Sequence, residues 1–408
     1  MFAILTTLFA ISSIFSYVNA RWIKLPGVIG VMLLSIFTAA ITVFAGSQIP
    51  QLTKLITNLT ASIDFSDTLL DSLLGFLLFA SALRFDVKSL TSNLKDVIRI
   101  STVGVLISSV IFAGLFYYAA EFIGLDMPFS YCLVFGALIS PTDAVAVAAL
   151  LKQTKMPKRL ETIINGESLF NDGSGIVLFI TFLGMATKPD TSFSWQHVGM
   201  LFVHEVFGGQ LFGLAFGWVA LRMIRSIEDS QTTVMITFSL VMLLSLCGSL
   251  FEISIPLAVV AAGLLIGSRP LSTDRESKLS DYLNDTWKLF DELLNTILFV
   301  LLGLQMVSVS FNSMYFLAGG IAIIILLLAR LLSIMLPIIL YRHSLQVKYS
   351  SIFILTWGGL RGAISVALAL SLPPSPYSAL ILTASFCIVI FSIVVQGLTL
   401  NKVVNKLV

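Results

Sequence analysis

Long apolar runs separated by short polar turns fill the whole chain. A transmembrane helix needs about 20 mainly apolar residues, whereas a strand of a membrane barrel is about ten residues of strict alternation. The runs here are continuous, so they predict helices. The predicted spans are 1–19, 26–46, 67–83, 99–120, 129–150, 160–186, 198–221, 232–250, 254–268, 286–306, 314–341, 350–371 and 377–400. We therefore expect an all-α membrane protein with about 13 transmembrane helices and no separate soluble domain.

The first run also has the length of a secretory signal peptide, and Val18-Asn19-Ala20 resembles a cleavage site. A signal peptide carries its basic residues before the apolar run. Here Arg21 and Lys24 follow it. We therefore interpret the run as the first membrane helix.

The basic residues are unevenly distributed between the two sets of turns. With the amino terminus outside, 19 of the 24 basic residues fall in cytoplasmic turns and only Lys54 and Lys188 fall outside; the other three, Lys288, Arg330 and Arg361, lie within or at the edge of spans. Cytoplasmic loops carry an excess of Lys and Arg. The pattern predicts a multi-pass protein embedded in the lipid of the inner (cytoplasmic) membrane, with its carboxyl terminus in the cytoplasm.

Composition agrees with this architecture and excludes several classes of protein. Hydrophobic residues make up 57% of the 408 residues and charged residues 11%, against about 25% charged in soluble domains. The 24 basic and 22 acidic residues are too balanced for nucleic-acid binding. The three cysteines lie too far apart for a CxxC metal site. Without nucleotide-binding, HExxH or GxSxG motifs, the sequence predicts neither an enzyme nor an ATP-driven pump, and no cofactor.

The fifth span contains a proline beside a carboxylate. Residues 136–143 read GALISPTD, and Pro141 removes a backbone donor and interrupts the helix next to Asp143. Broken membrane helices expose carbonyl groups that bind ions, and they are tolerated only inside protein or along water. The alternative is a simple proline kink in which Ser140 and Thr142 satisfy the freed backbone groups.

The twelfth span contains an arginine among three glycines, in the sequence WGGLRGAIS at 357–365. Glycine lets another backbone approach closely. Arginine does not lose its proton in proteins, so Arg361 needs a carboxylate partner at this depth. Glu167 is the first candidate, with Asp143 and Asp172 as alternatives. The competing interpretation is an arginine that reaches the membrane surface from a helix end.

The sixth span carries two polar rows in the sequence NGESLFNDGS at 165–174. Ser168 and Asp172 are four residues apart and share one helix face, and Glu167 and Asn171 share the adjacent face. The first pair offers hard oxygen ligands for a small cation. Asp172 lies about 20 Å along the helix from the basic residues that mark its cytoplasmic edge. A location at the cytoplasmic helix end, where charge costs little, is the alternative.

The two interrupted spans are seven spans apart. Because seven is odd, spans 1–6 and 8–13 cross the membrane in opposite directions and form an inverted repeat, with span 7 as linker. Paired interruptions in two such halves indicate a transporter's binding site at the membrane midplane. We therefore expect alternating access.

These motifs resemble one family in order and spacing. The runs SPTD at 140–143, GESLFNDG at 166–173 and GLRGA at 359–363 are similar to those of the cation:proton antiporter-1 family, the NhaP-type sodium/proton antiporters. Residues 21–27 and 290–303 also resemble that family's second and tenth helices. The resemblance implies an NhaA-like fold in a homodimer that exchanges monovalent cations for protons. It further implies a core bundle of about 99–186 and 314–400, which moves against dimerisation helices of about 1–83 and 198–306.

The resemblance also implies roles for individual residues. Asp172 would bind the cation or the proton, and Glu167 would pair with Arg361. Further ligands would be Ser168, Asp143 and a main-chain carbonyl near Thr142. The chain departs from some relatives in the third helix, where Phe79-Ala80-Ser81 stands in place of an acidic residue.

Asn171 bears on the stoichiometry. Within the wider superfamily, two adjacent aspartates at this motif go with two protons per sodium ion, whereas this chain has Asn171 before Asp172. An amide cannot carry a proton, so we expect electroneutral exchange of one sodium for one proton. Potassium/proton exchange on the same scaffold is the alternative. A cation channel or a membrane sensor is the alternative from another class.

Two further polar positions have open roles. His204 and Glu205 are adjacent and point to different helix faces, which favours an interhelical hydrogen bond over a metal site or proton relay. Arg330 lies deep in the eleventh span, where a pairing with Asp143 and a purely structural role are equally compatible with the sequence.

Overall fold

A computed structural model of the chain describes residues 2–44, 68–143, 156–187, 195–268, 274–340 and 349–407, with five isolated positions between 54 and 65. Within these residues the chain is helical and has no strand. The helices are α1 (Phe2–Val18), α2 (Gly27–Phe44), α3 (Leu74–Leu83), α4 (Val87–Arg99), α5 (Val105–Phe122), α6 (Phe129–Ile139), α7 (Lys158–Thr187), α8 (Trp195–Arg225), α9 (Ser230–Phe251), α10 (Ile255–Gly267), α11 (Asp274–Leu304), α12 (Ser313–Leu340), α13 (Tyr349–Trp357), α14 (Ala363–Leu370), α15 (Ser378–Phe391) and α16 (Gly397–Leu407). Short π-helical turns, among them Ile100–Gly104 before α5, extend several of them.

Eight helical stretches in the described part of the chain are long and apolar enough to cross a membrane by length and composition. Three further apolar helices are shorter: α3, α6 and α10. Helical residues occur within every predicted span. The multi-pass helical architecture is thus established, while the number of thirteen crossings stays a prediction.

Helix α4 lies where the sequence suggested only a cytoplasmic turn. Asp86 caps it, because its carboxylate accepts hydrogen bonds from the backbone N–H groups of Lys88 (3.1 Å) and Ser89 (3.2 Å). Leu90 and Val97, seven residues apart, are buried on one face. The sequence did not predict this amphipathic helix, because charged residues separate its few buried apolar residues.

Polar contacts fasten α4 to the first turns of α7. The Ser89 and Thr162 hydroxyls are 2.8 Å apart, and Arg159 donates to the Asp96 carboxylate at 3.1 Å. A π-helical turn continues α4 into α5. The chain therefore places a single helical rod against the segment that carries the sixth-span motif.

The buried apolar side chains divide most helices into two groups. The core bundle, as we name it, consists of α5, α6, α7, α12, α14 and α15, with Phe112, Phe135 and Ala384 among its fully buried side chains. The scaffold consists of α3, α8, α9, α10 and α11, packed around the fully buried Trp287. A third cluster joins α1, α2 and α11 to α14 and α15. Helix α7 contacts both groups, because Leu169 belongs to the scaffold cluster.

Helix α9 shows how a polar residue sets the start of a helix. The Asp229 carboxylate accepts hydrogen bonds from the Thr232 hydroxyl (2.5 Å) and the Thr232 backbone N–H (2.7 Å). The side-chain hydrogen bond from Thr232, followed by the backbone one, lowers the pKa of Asp229 from its usual value. A charged aspartate at this end also suits the helix dipole.

Candidate ion-binding site

Two helix interruptions meet inside the core bundle. Helix α6 ends at Ile139, and the backbone of residues 140–143 is not helical; residues 358–362 separate α13 from α14 in the same way. The Asp143 backbone N–H donates to the Leu360 carbonyl at 2.8 Å and joins the two interruptions directly. The predicted continuation of the fifth span, 144–150, lies outside the described residues.

Glycine at position 362 makes this crossing possible. A Cβ built on Gly362 would overlap Oδ2, Cγ and Cβ of Asp143. The Asp143 side chain thus lies directly on the backbone of the second interruption. This close approach explains why the residue that follows Arg361 is a glycine.

Arg361 holds the end of α6. Its Nη1 donates to the Ser140 carbonyl at 2.5 Å, and its backbone N–H donates to the Ser392 hydroxyl at 2.8 Å. The last carbonyls of a helix have no intrahelical donors and carry partial negative charge. A buried guanidinium, 1% exposed, therefore pairs with a carbonyl at the end of the broken helix.

A chain of hydrogen bonds links α7 to the first interruption. The Asn171 amide Nδ2 donates to Thr142 Oγ1 at 2.7 Å, and Thr142 Oγ1 lies 2.8 Å from Ser168 Oγ. All three side chains are at most 2% exposed. Whichever hydroxyl donates, the Ser168 oxygen keeps at least one lone pair for a further ligand.

Asp172 lies beside this chain and is 4% exposed. No side chain in the described part of the protein donates a hydrogen bond to its carboxylate. Asp143 is near enough to act on Asp172 electrostatically. Two residues further along α7, the Ser174 hydroxyl donates to the Ser101 carbonyl in the π-helical turn at 2.5 Å and fixes the rotation of α7.

Glu167 pairs with Arg330, which corrects the predicted Glu167–Arg361 pair. Arg330 Nη1 and Nη2 donate to Oε1 and Oε2 of Glu167 at 2.5 and 2.6 Å. The side chains are 4% and 1% exposed, respectively. Two parallel N–H to carboxylate bonds satisfy the fork geometry of both groups. Arg361 is held by the end of α6 and lies close enough to interact with this pair only electrostatically.

Other polar positions lie away from this centre. His204 is exposed, and the electrostatic neighbours of Glu205 are His204 and Glu252. No group of three His, Cys, Asp or Glu side chains among the described residues could hold a metal ion. Sequence analysis also missed the ion pair of Arg84, which directly follows α3, with Asp291 in α11, two residues that no local pattern connects.

The sequence model of one family, described as "Sodium/hydrogen exchanger, transmembrane", matches residues 7–406. The chain belongs to the sodium/hydrogen exchanger family. The resemblance that the motifs carried is thereby confirmed.

Two curated relatives match this family member along most of their length. The Na(+)/H(+) antiporter NhaP of Pseudomonas aeruginosa is 37% identical over 416 residues, which cover 100% of this chain and 97% of the relative. The Na(+)/H(+) antiporter NhaH of Halobacillus aidingensis is 30% identical over 395 residues, covering 95% and 93%. Both relatives are antiporters by name, in agreement with a chain that is not an enzyme.

A solved structure shares the fold. The sodium proton antiporter MjNhaP1 from Methanocaldococcus jannaschii superposes with a TM-score of 0.75 at 18% sequence identity, covering 99% of this chain and 97% of that one. At this identity the likeness describes the arrangement of helices alone. It places this exchanger-family chain in an all-helical membrane architecture.

Proposed function

We propose that this chain exchanges sodium ions for protons across the cytoplasmic membrane, with Asp172 as the group that carries either ion in turn. The family and the names of its relatives support the activity. The observation that carries the site is the contrast between two buried carboxylates on α7. Glu167 is neutralised by Arg330, whereas Asp172 has no cationic partner in the described part of the chain.

The charge of Asp172 is balanced only when one further cation is present. Glu167 pairs with Arg330, whereas no basic side chain in the described part of the chain pairs with the Asp172 carboxylate. A bare charge at membrane depth costs at least a few kcal/mol. One proton or one sodium ion removes it. Exchange of one for one therefore leaves the bundle neutral in both directions.

The proposed sodium ligands are Asp172, Ser168, Asp143 and the main-chain carbonyl of Thr142. They are oxygen atoms, the donors that hard cations prefer. Asn171 holds Thr142 in place through its amide and adds no proton-binding group. Protons and sodium ions would compete for Asp172, and only the loaded bundle would move.

The movement would be an elevator-like shift of the core bundle against the scaffold, within thirteen crossings arranged as an inverted repeat. The division of the buried side chains into two groups supports two bodies. Exposed apolar side chains on the scaffold, such as Leu211 and Met242, suit lipid or a second copy in a homodimer. The basic residues support an amino terminus outside and a carboxyl terminus in the cytoplasm.

Inverted membrane vesicles would test this proposal. A pH-sensitive dye reports proton movement while sodium, lithium and potassium are added in turn. We expect sodium to drive proton efflux with wild-type protein and not with Asp172→Asn, while Asp285→Asn, which changes an exposed aspartate of α11, retains it. A response to potassium alone would establish potassium/proton exchange, and cation flux without proton movement would establish a channel.

A further inference from the structure

One side chain of the scaffold enters the core bundle beside Asp172. Leu257, in the first turn of α10, lies against Gly173 of α7. A Cβ on Gly173 would lie 2.6 Å from Cγ, 2.9 Å from Cδ2 and 3.2 Å from Cδ1 of Leu257. The tip of this leucine therefore occupies the space that any other residue at 173 would fill with its side chain.

The helix that carries Leu257 is held tightly within the scaffold. Three glycines of α8 lie four residues apart and face α10: Gly209, Gly213 and Gly217. They lie against the backbone of Ser254, which directly precedes α10, and of Ala258 and Ala262 in α10. On another side, Gly263 of α10 approaches α3, where a Cβ would lie 3.1 Å from the Phe79 carbonyl. Backbone contacts this close leave α10 little freedom to shift or rotate. Leu257 is thus a fixed projection of the scaffold.

Leu257 contacts α7 at the level of Asp172, near the middle of the helix. Asp172 is the fifteenth of 30 residues in α7, and Gly173 follows it on the side away from the basic start of the helix. Leu257 and Asp172 are each 4% exposed. On the proposed topology, Leu257 therefore contacts α7 one residue to the outer side of Asp172.

The depression at Gly173 has no equivalent one helical turn away. A shift of one turn, about 5.4 Å, would bring Leu257 opposite Leu169 and Phe170 in one direction or Ile176 in the other. These three side chains already pack in the scaffold cluster. Within one helical turn in either direction, Leu257 can therefore enter α7 only at Gly173, and its entry distinguishes this position of the bundle from those neighbouring positions.

We propose that Leu257 is the outer seal of the ion site, and that its withdrawal from Gly173 is the step that exposes Asp172 to the outside. This inference rests on the proposed function of Asp172. Leu257 is a positioning residue: it touches neither ion, but it determines from which side the carboxylate is reached. With Leu257 in place, protons exchange with Asp172 from the cytoplasm alone.

Paired substitutions test the seal. Gly173→Ala should lower sodium-dependent proton exchange at least tenfold, because its methyl group excludes Leu257 from the sealed position. Leu257→Ala removes all three atoms that the methyl group would meet, so Gly173→Ala/Leu257→Ala should recover at least a third of the wild-type rate. Gly184→Ala is the matched control, since Gly184 lies on the same helix with open space around its Cα. It should exchange at the wild-type rate.

The rate of proton leak into sodium-free proteoliposomes distinguishes a seal from a residue that only supports the fold, because a supporting residue would not change this rate. After a pH jump, Leu257→Ala should dissipate the proton gradient several times faster than wild type, while Leu257→Met, of similar volume, should stay tight. In the double variant the leak should fall below that of Leu257→Ala, because the alanine at 173 fills part of the gap.

Three results would refute the role of Leu257 as a seal. They are an exchange rate equal to wild type in Gly173→Ala, a double variant that exchanges as slowly as Gly173→Ala, and a proton leak no faster than that of wild type in Leu257→Ala. The leak needs no sodium, so it decides the question even where Gly173→Ala fails to insert. Absence of sodium-driven exchange in the wild type would refute the proposed function instead, and the same vesicles report both quantities separately.

Discussion

The buried pair of Glu167 and Arg330 predicts a large and specific loss of stability. Arg330→Ala would leave the Glu167 carboxylate, 1% exposed, without the two hydrogen bonds at 2.5 and 2.6 Å that now neutralise it. Removing one partner of a truly buried pair costs about 3 to 5 kcal/mol, most of it the cost of the charge left behind. We expect Arg330→Ala to unfold at a markedly lower temperature in detergent than wild type.

Arg361→Ala provides the comparison, since Arg361 donates from its side chain only to the Ser140 carbonyl among the described residues. A hydrogen bond from a charged group contributes about 1.5 to 3 kcal/mol. Its loss should therefore be the smaller of the two. Arg225→Ala, which changes an exposed arginine of α8, should leave the midpoint unchanged.

Adding Glu167→Gln identifies the partner. In the Arg330→Ala background it removes the stranded charge and should recover part of the lost stability, with a coupling free energy of about 0.5 to 3 kcal/mol in a double-mutant cycle. In the Arg361→Ala background the recovery should be smaller. Thermal midpoints of the purified variants measure both cycles. Equal losses for the two arginines, or a stronger rescue of Arg361→Ala, would refute the pairing and restore Arg361 as the partner of Glu167.

Three further outcomes test the site and its surroundings. Asp172→Asn should insert and fold normally yet show no cation-dependent proton movement, measured by dye quenching in vesicles; exchange at the wild-type rate would remove Asp172 from the site. A single cysteine introduced between 152 and 159, a stretch with four basic residues, should react with impermeant thiol reagents only from the cytoplasm, and labelling of intact cells would reverse the topology. Exchange in proteoliposomes should not respond to an imposed potential, although each uncompensated charge would feel about 2.3 kcal/mol per 100 mV; a voltage-dependent rate would show that a second group, such as Asp143, also carries a proton.

The interruptions at Pro141 and around Arg361 could be predicted from sequence because proline and glycine act on their own backbone. The partner of Glu167 could not be predicted, because 163 residues separate it from Arg330 and two arginines at similar depth compete. Nothing in the spacing favours one over the other. Only the packing of α7 against α12 shows that Arg330, and not Arg361, is the partner of Glu167.

Helix α4 was missed for a different reason. Its many charged and polar residues are typical of a cytoplasmic turn, and the apolar residues along one face are only Val87, Leu90, Leu94 and Val97. The spacing of four and three residues and the capping Asp86 were nonetheless visible in the sequence. A search for short amphipathic helices beside membrane spans would have found it.

The two arginines at the crossing have different partners: Arg330 pairs with Glu167, and Arg361 binds the end of α6. This limits where a cation can bind. The end of a broken helix offers carbonyl groups to a cation, but Arg361 already occupies the Ser140 carbonyl at 2.5 Å. Its fixed charge also offsets the negative end of α6. On the proposed function, a sodium ion would therefore bind beyond that carbonyl, toward Thr142 and the two aspartates. Because Arg330 cancels Glu167, Asp172 is the buried carboxylate of α7 that lacks a basic partner among the described residues, and one monovalent ion is sufficient to neutralise it.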